Sequence, residues 1–450
     1  MANTKQTNPT ELGQSRPKKK LYVGGIDRPF LIVVLLLLVL GTVMVFSASY
    51  PTAYATRGGD SYYFARRQII YAALGVVAMI AVILIPVFDY HYIRRTAEIL
   101  FVVSYIALVS VFFIGVTLNE AKRWLAIGPI TVQPSEIVKF TLVALLAKYG
   151  EKNYDKIRSS GSFSALWQRV LPFAGVLGIA AFVFLKSENK TIGVAVAAII
   201  ALLAFVIVFA ADFKHKAPAL YYGVLPYVLL IALVAVPLYK QPHVSCIIIM
   251  AGIALFMMIA SGTHPLYLFG GSVLGGGALL VLAKSLEHAS GRLAVWRDPF
   301  KNILTGGWQP AQSLYAIGSG GIWGVGFGNS RQKFLYLPEP QNDYIFSIWC
   351  EEMGFVGAAL VMLVFLFFIW RGIYIGLHAP DRFSSLLVIG IISHVALQMV
   401  LNIGVVTNTL PSTGISLPFF SYGGTSLIIL LAEMGVVLSV SRYANAKKTI

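Results

Sequence analysis

Charge is what this sequence has least of. Asp, Glu, Lys and Arg make up 12% of its 450 residues, where a soluble globular chain carries about 25%. Together with 57% hydrophobic residues and a mean hydropathy of +0.76, that shortfall excludes a soluble fold. Cysteine is nearly missing too. Cys246 and Cys350 fall in or beside apolar segments, so no disulfide framework is implied and both are expected to be inert core thiols. No cleavable signal pattern opens the chain; residues 1–20, MANTKQTNPTELGQSRPKKK, are a polar, basic tail. Metal-ligand spacing is missing as well, since His243 and His394 stand alone. The formal charge of +16 does not make a nucleic-acid binder, because the cations lie in tails and in links between apolar runs.

Those apolar runs are abundant. They approach the roughly 20 residues that cross a bilayer, and with no water to satisfy an open backbone they must be helices. Spans are predicted near 29–48, 69–88, 97–117, 135–149, 168–186, 191–211, 218–239, 243–262, 265–284, 344–370, 384–407 and 420–440. The fold class is therefore an all-α polytopic integral membrane protein of about twelve transmembrane helices. It divides into a basic N-terminal tail (1–28), a transmembrane domain (29–440) and a short C-terminal tail (441–450). Lys and Arg in short links set the orientation. Lys18 to Lys20, Arg94 with Arg95, Lys214 with Lys216, Arg371 with Arg382, and Arg442 with Lys447 and Lys448 all fall on one side. That side is the cytoplasm, and both termini lie in it. Arg66, Arg67, Lys122 and Arg123 fall on the outer side, against the bias, and so raise a functional question.

The outer side carries the elaborate sequence. Residues 284–343 are polar and Gly-rich and are predicted to form a large extracytoplasmic loop, with charges of both signs from Arg292 to Asp343. Loops of that length are functional or disordered, and this one is too rich in Trp, Tyr, Leu and Ile for disorder. The other outer segments of note are 50–68, 119–136 and 408–424, with a brief link at 239–245.

Four strings argue together: AKRWLAIGPITVQPSEIVK at 121–139, QPHVS at 241–245, QSLYAIGSGGIWGVGFGNSRQKFLYLPEPQNDYIFSIWCEEMGF at 312–355, and PSTGISLPFFSYGGTS at 411–426. In these the chain resembles the SEDS family of bacterial cell-wall polymerases (FtsW, RodA, SpoVE), from near residue 30 to 442. The string GISLPFFSYGGTS is closer to the FtsW and SpoVE branch than to RodA. The resemblance implies a peptidoglycan glycosyltransferase that joins lipid II into glycan strands at the outer face of the bacterial cytoplasmic membrane. It implies a class B penicillin-binding protein as crosslinking partner, within a division or sporulation assembly. Two departures stand out. Family members have about ten spans, so the surplus reads as a two-helix insertion near 168–211. In RLAVWRDPFKNILTGGWQ, Asn302 occupies the place of the family's catalytic Asp, and Asp298 is the carboxylate left in that segment.

On that reading the site needs a base, a grip on pyrophosphate and a groove for a lipid. A positioned carboxylate that takes the acceptor hydroxyl's proton contributes about 10²–10⁴-fold in rate. Developing charge on the leaving group calls for cations, Arg above all, or for a divalent ion, Mg²⁺ or Mn²⁺, bridging phosphate oxygens. Asp298 is the candidate base; its plainer reading is an Asp-Pro turn capping nearby amides. Asn302 can at best orient a hydroxyl. The candidate substrate-binding residues are Arg123, Trp124, Glu136, Lys139, Arg292, Arg331, Lys333 and Ser421. Lys139, inside an apolar helix, needs a partner or a cavity, and Glu136 three residues before it offers an equally plain structural pair. Trp124 also fits an interfacial belt, and Lys333 a solvated loop. The glycines of SGGIWGVGFGNS lack the flanking strand and GK[ST] of a nucleotide loop and read as sharp turns. Glu339 and Asp343, at the mouth of the next helix, read as complements to its dipole.

Two rivals share much of this. A flippase for lipid-linked precursor would place functional charges at mid-membrane and carry inverted repeats, whereas no repeat is evident and the charges gather outside. A non-catalytic scaffold for a penicillin-binding protein is favoured by Asn302.

Overall fold

A computed structural model of the chain describes residues 24–85, 89–118, 121–128, 130–158, 218–264, 267–268, 287–301 and 303–446. The spans predicted near 168–186, 191–211 and 265–284 lie outside the described residues, and so does Asn302. The described helices are α1 (Arg28–Thr56), α2 (Tyr63–Leu84), α3 (Tyr90–Ile114), α4 (Pro134–Arg158), α5 (Pro218–Gly223), α6 (Leu225–Lys240), α7 (Val244–Ala260), α8 (Glu287–Arg297), α9 (Trp308–Gly320), α10 (Ile345–Leu377), α11 (Arg382–Val406) and α12 (Gly424–Ala446). Among the described residues seven helices are long and apolar enough to cross a membrane: α1, α2, α3, α10, α11, α12 and the stretch Leu220–Lys240. The shorter α7 is also apolar.

Polar residues punctuate the apolar runs and fix where helices start. Asp27 caps α1 through the amide of Phe30 at 3.0 Å, with Pro29 in the first turn. Asp89 caps α3, and Asp381 with Ser384 forms a capping box on α11. These caps share one end of the bundle, the near end. There Arg371 makes a forked pair with Asp27 at 3.0 and 2.7 Å, and Tyr443 donates to Asp89 at 2.8 Å.

The far end holds the links 57–62, 115–133, 241–243, 298–344 and 407–423. One of them departs from an all-helical expectation. Residues 116–132 form a three-stranded antiparallel sheet, β1 (Val116–Leu118), β2 (Ala121–Ile127) and β3 (Ile130–Val132). Thr425 of α12 holds it by donating to the Thr131 carbonyl at 3.2 Å.

The long Gly-rich stretch is not an open loop. α9 packs its small face, Ala311, Ser313 and Ala316, into the bundle, and the Ser313 hydroxyl reaches Ser347 Oγ at 2.7 Å and the Val406 carbonyl at 2.8 Å. Beyond it, residues 321–326 run against a break in α10. Gly354 there has φ 65° and ψ −169°, a conformation only glycine adopts easily. The backbone groups freed by the break are met by the loop: Val325 and Gly326 amides donate to the Glu351 and Glu352 carbonyls, each at 3.0 Å. In return the Phe355 and Val356 amides donate to the Gly321 and Ile322 carbonyls at 2.9 and 3.1 Å. Irregular backbone survives at membrane depth where protein satisfies it.

Candidate functional site

A cavity of about 780 Å³ opens at the far end. α4 contributes Glu136 and Lys139 from its first turns, and Lys139 Nζ is 2.8 Å from Glu136 Oε2 with its side chain 2% exposed. A buried ammonium at that depth is tolerable because its partner sits one turn away. β2 brings Arg123 and Trp124. The Arg123 guanidinium donates to the Gln241 carbonyl at 3.0 Å, and burial, with Arg292 nearby, lowers its proton affinity while Asp343 works the other way. The α1–α2 link and the first turns of α2 add two more cations to the wall. Arg57 and Arg67 stack on Tyr63, 4.7 and 4.6 Å from its ring centre. His243, before α7, is pushed down to about 3 by burial and by Arg123, and so is neutral.

The carboxylates on this wall outside the α4 pair are Asp343 and Glu339. Enclosure pushes the Asp343 carboxyl up to about 6, against the pull of Arg123. Its backbone is held by three successive carbonyls. Gln341 O accepts from the Tyr422 amide at 2.8 Å, Asn342 O from the Ser421 hydroxyl at 2.8 Å, and Asp343 O from Asn402 Nδ2 at 2.7 Å. Gly414, at φ 67°, passes so close that a Cβ would lie 3.3 Å from Asp343 Oδ2.

Four of the predicted residues therefore meet on one surface: Arg123, Trp124, Glu136 and Lys139. Arg292 is exposed on α8, near enough to Arg123 to act on it electrostatically. Ser421 is buried and grips the Asp343 segment from outside the main cavity. Asp298 does not line the cavity; its carboxylate accepts from the Lys301 amide at 3.0 Å, which is the turn-capping role. Arg331 is exposed, and its amide donates to Glu351 Oε1 at 2.9 Å. Lys333 is turned away completely. Its ammonium is fully buried, 2.7 Å from Glu352 Oε1, 2.8 Å from the Gly328 carbonyl and 3.2 Å from Ser47 Oγ. A pair buried that deeply ties the loop to α1 and α10 rather than reaching a ligand.

Sequence reasoning read Asp343 as a complement to the helix dipole and passed over Arg57. It also treated His394 as isolated, yet His394 faces Glu433 on α12. Arg67 carried a usable signal, a cation on the side where cations are disfavoured. Among the described residues no group of three His, Cys, Asp or Glu side chains is placed to hold a metal. Held by the described residues, a divalent ion would have at most two carboxylates and would rely on phosphate oxygens and water.

The surface combines an enclosed carboxylate with four cations, in a chamber wide enough for a phosphorylated sugar. Comparison with known proteins sharpens it. A family model described as "Cell cycle protein", FtsW/RodA/SpoVE, matches residues 27–220 and 197–446. The chain is 34% identical to stage V sporulation protein E of Bacillus subtilis over 421 residues, covering 93% of this chain and 98% of that one. It is 32% identical to a probable peptidoglycan glycosyltransferase FtsW of Geobacter metallireducens, over 94% and 97% of the two chains. Among solved structures, a chain from a peptidoglycan synthase complex superposes with a TM-score of 0.65 at 21% identity, covering 93% of this chain and 98% of that one. The rod shape determining protein RodA of Thermus thermophilus superposes at 0.59 with 22% identity, over 93% and 97%.

Proposed function

This chain belongs to the FtsW/RodA/SpoVE family, and from that premise we propose that it is a peptidoglycan glycosyltransferase polymerising lipid II in the far-end cavity. The carrying observation is the placement of Asp343 beside Arg123 in a cavity that also presents Arg57, Arg67 and Lys139. Asp343 is the general base. Its carboxylate takes the proton of the acceptor sugar hydroxyl as that oxygen attacks the donor's anomeric carbon. The bond that breaks joins that carbon to the pyrophosphate, which leaves with both bonding electrons. Arg57, Arg67 and Arg123 face the charge that develops there, and the Tyr63 ring and the Gln241 carbonyl hold them in place beforehand.

The far end is the outer face of the bacterial cytoplasmic membrane and both termini are cytoplasmic, a reading supported by the Lys and Arg bias. The partner is a class B penicillin-binding protein, within a division or sporulation assembly. Exposed Trp308, Phe334, Leu335 and Tyr336 at the same end give such a partner an aromatic surface. A divalent ion carried in with the pyrophosphate would screen its charge beside Asp343 and Glu339.

Purified protein, with and without its partner, given labelled lipid II tests this reading. Glycan strands that vanish in Asp343→Asn and persist in Asp298→Asn support it. Strands unaffected by Asp343→Asn remove the assigned base. Lipid II scrambling in liposomes without polymer would establish the flippase instead.

A further inference from the structure

The Gly-rich stretch after α9 turns apolar side chains outward. Ile322 is 63% exposed, Trp323 79% and Phe327 47%, with Val325 among them, and Phe355, across the break in α10, is 67% exposed. A cluster of that kind marks a contact with protein or membrane. Its depth in the bundle decides between the two. Asp27 pairs with Arg371 at the near end, and Ser47 donates to Glu352 at 2.8 Å. At 1.5 Å per residue, the climb from Asp27 to Ser47 along α1 is about 30 Å, and from Arg371 to Glu352 along α10 about 28 Å. Both helices give the same height, close to the roughly 30 Å of a bilayer's hydrocarbon core. Residues 321–326 bond to the α10 backbone at 351–356, so they sit at the far edge of that core and not in water beyond it.

The backbone of this stretch suits such a place. The Gly324 amide donates to the Gly320 carbonyl at 2.8 Å, the Val325 and Gly326 amides donate to α10, and the Gly321 and Ile322 carbonyls accept from α10 in return. Water would serve these groups in an aqueous loop, whereas in lipid each needs a partner from the protein. The approach is close: a Cβ on Gly324 would lie 2.2 Å from the Glu352 carbonyl oxygen. Toward the near end, α10 continues the apolar exposure with Leu360 and Leu363. We propose that residues 321–327 form a wedge in the bilayer leaflet at the far end, with Ile322, Trp323, Val325 and Phe327 among the glycerol groups and upper acyl carbons of its lipids. An indole ring is at home at that level. From the wedge the chain leads through Lys333, tied to α1 and α10, to Glu339 and Asp343 on the cavity wall. Lipid around the wedge therefore braces that wall from the side.

Site-directed spin labelling of the full-length protein in phospholipid bilayers reads the depth. A nitroxide is attached in turn to Trp323→Cys, to Phe327→Cys and, for comparison, to Lys301→Cys in an exposed turn; the native Cys246 and Cys350 are buried. Relaxation is measured with oxygen, which concentrates in hydrocarbon, and with a nickel chelate, which stays in water. The oxygen-to-nickel ratio at positions 323 and 327 is expected to exceed that at position 301 several-fold. A ratio no higher than at 301, at either position, overturns the proposal and returns the stretch to water. Exclusion of both reagents overturns it too, since a second protein and not lipid would then cover the patch. None of these outcomes depends on polymerisation, so a failure here leaves the assignment of Asp343 standing, and the reverse holds too.

Discussion

Replacing Asp343 by Asn is expected to lower lipid II polymerisation about 10²–10⁴-fold, the usual worth of a positioned base. Asp298→Asn, at an exposed turn outside the cavity where the carboxylate accepts from the Lys301 amide, is expected to stay near unaltered activity. The carboxyl at position 343 is held at about 6. Below that value it is protonated and cannot accept a proton; above it, it is ionised and can. The polymerisation rate should therefore rise with pH through about 6, and the residual rate of Asp343→Asn should lack that rise. A flat profile in the unaltered protein would count against the base. Position in the chain hid this residue. An acid at a helix mouth ordinarily complements the dipole, and only the folded chain shows Arg123 and Arg67 sharing its wall. Lys333 misleads in the opposite sense, because a cation in a Gly-rich stretch reads as solvated. Its partner Glu352 comes into reach only through the fold. Lys333→Met leaves that carboxylate buried and unpaired and is expected to destabilise by about 3–5 kcal/mol, seen as an earlier unfolding transition in detergent.

At the scale of elements, the long helices were legible because apolar runs of bilayer length admit no other backbone, and Asp27, Asp89 and Asp381 mark their starts. The sheet at 116–132 and helix α9 were not. Both are short, and both take their stability from tertiary contacts such as Thr425 to Thr131 and Ser313 to Val406. The break in α10 was equally silent, since a single glycine in an apolar run does not announce a kink. A Cβ at Gly354 would lie 2.3 Å from the Gly324 amide nitrogen, on top of the strain of its positive φ. Gly354→Ala is expected to separate the loop from the helix and to yield aggregated protein on size-exclusion chromatography. The grip on residues 341–343 is milder. Asn402→Leu removes donors to two carbonyls, at about 1 kcal/mol each. Turnover is expected to fall several-fold with little change in substrate KM, because the base shifts while the cationic wall remains.

For the whole molecule, the two ends of the bundle should answer differently to a reagent that cannot cross membranes. In intact cells, a cysteine placed by Arg331→Cys should be labelled and one placed by His378→Cys should not. The native Cys246 and Cys350 are buried and stay silent. Labelling of the second site alone would invert the orientation. The ties between α1 and α10 have a further consequence, one of timing. Asp27 meets Arg371 and Ser47 meets Glu352 across 344 and 305 positions of chain. At about 5–20 residues per second of synthesis, the first helix waits roughly 20–70 s in the bilayer before its partners leave the ribosome. During that interval Asp27 can rest at the watery edge of the membrane and the Ser47 hydroxyl can bond within its own helix. The last knot of the bundle is therefore tied late in translation, and a chain truncated before Glu352 lacks both ties.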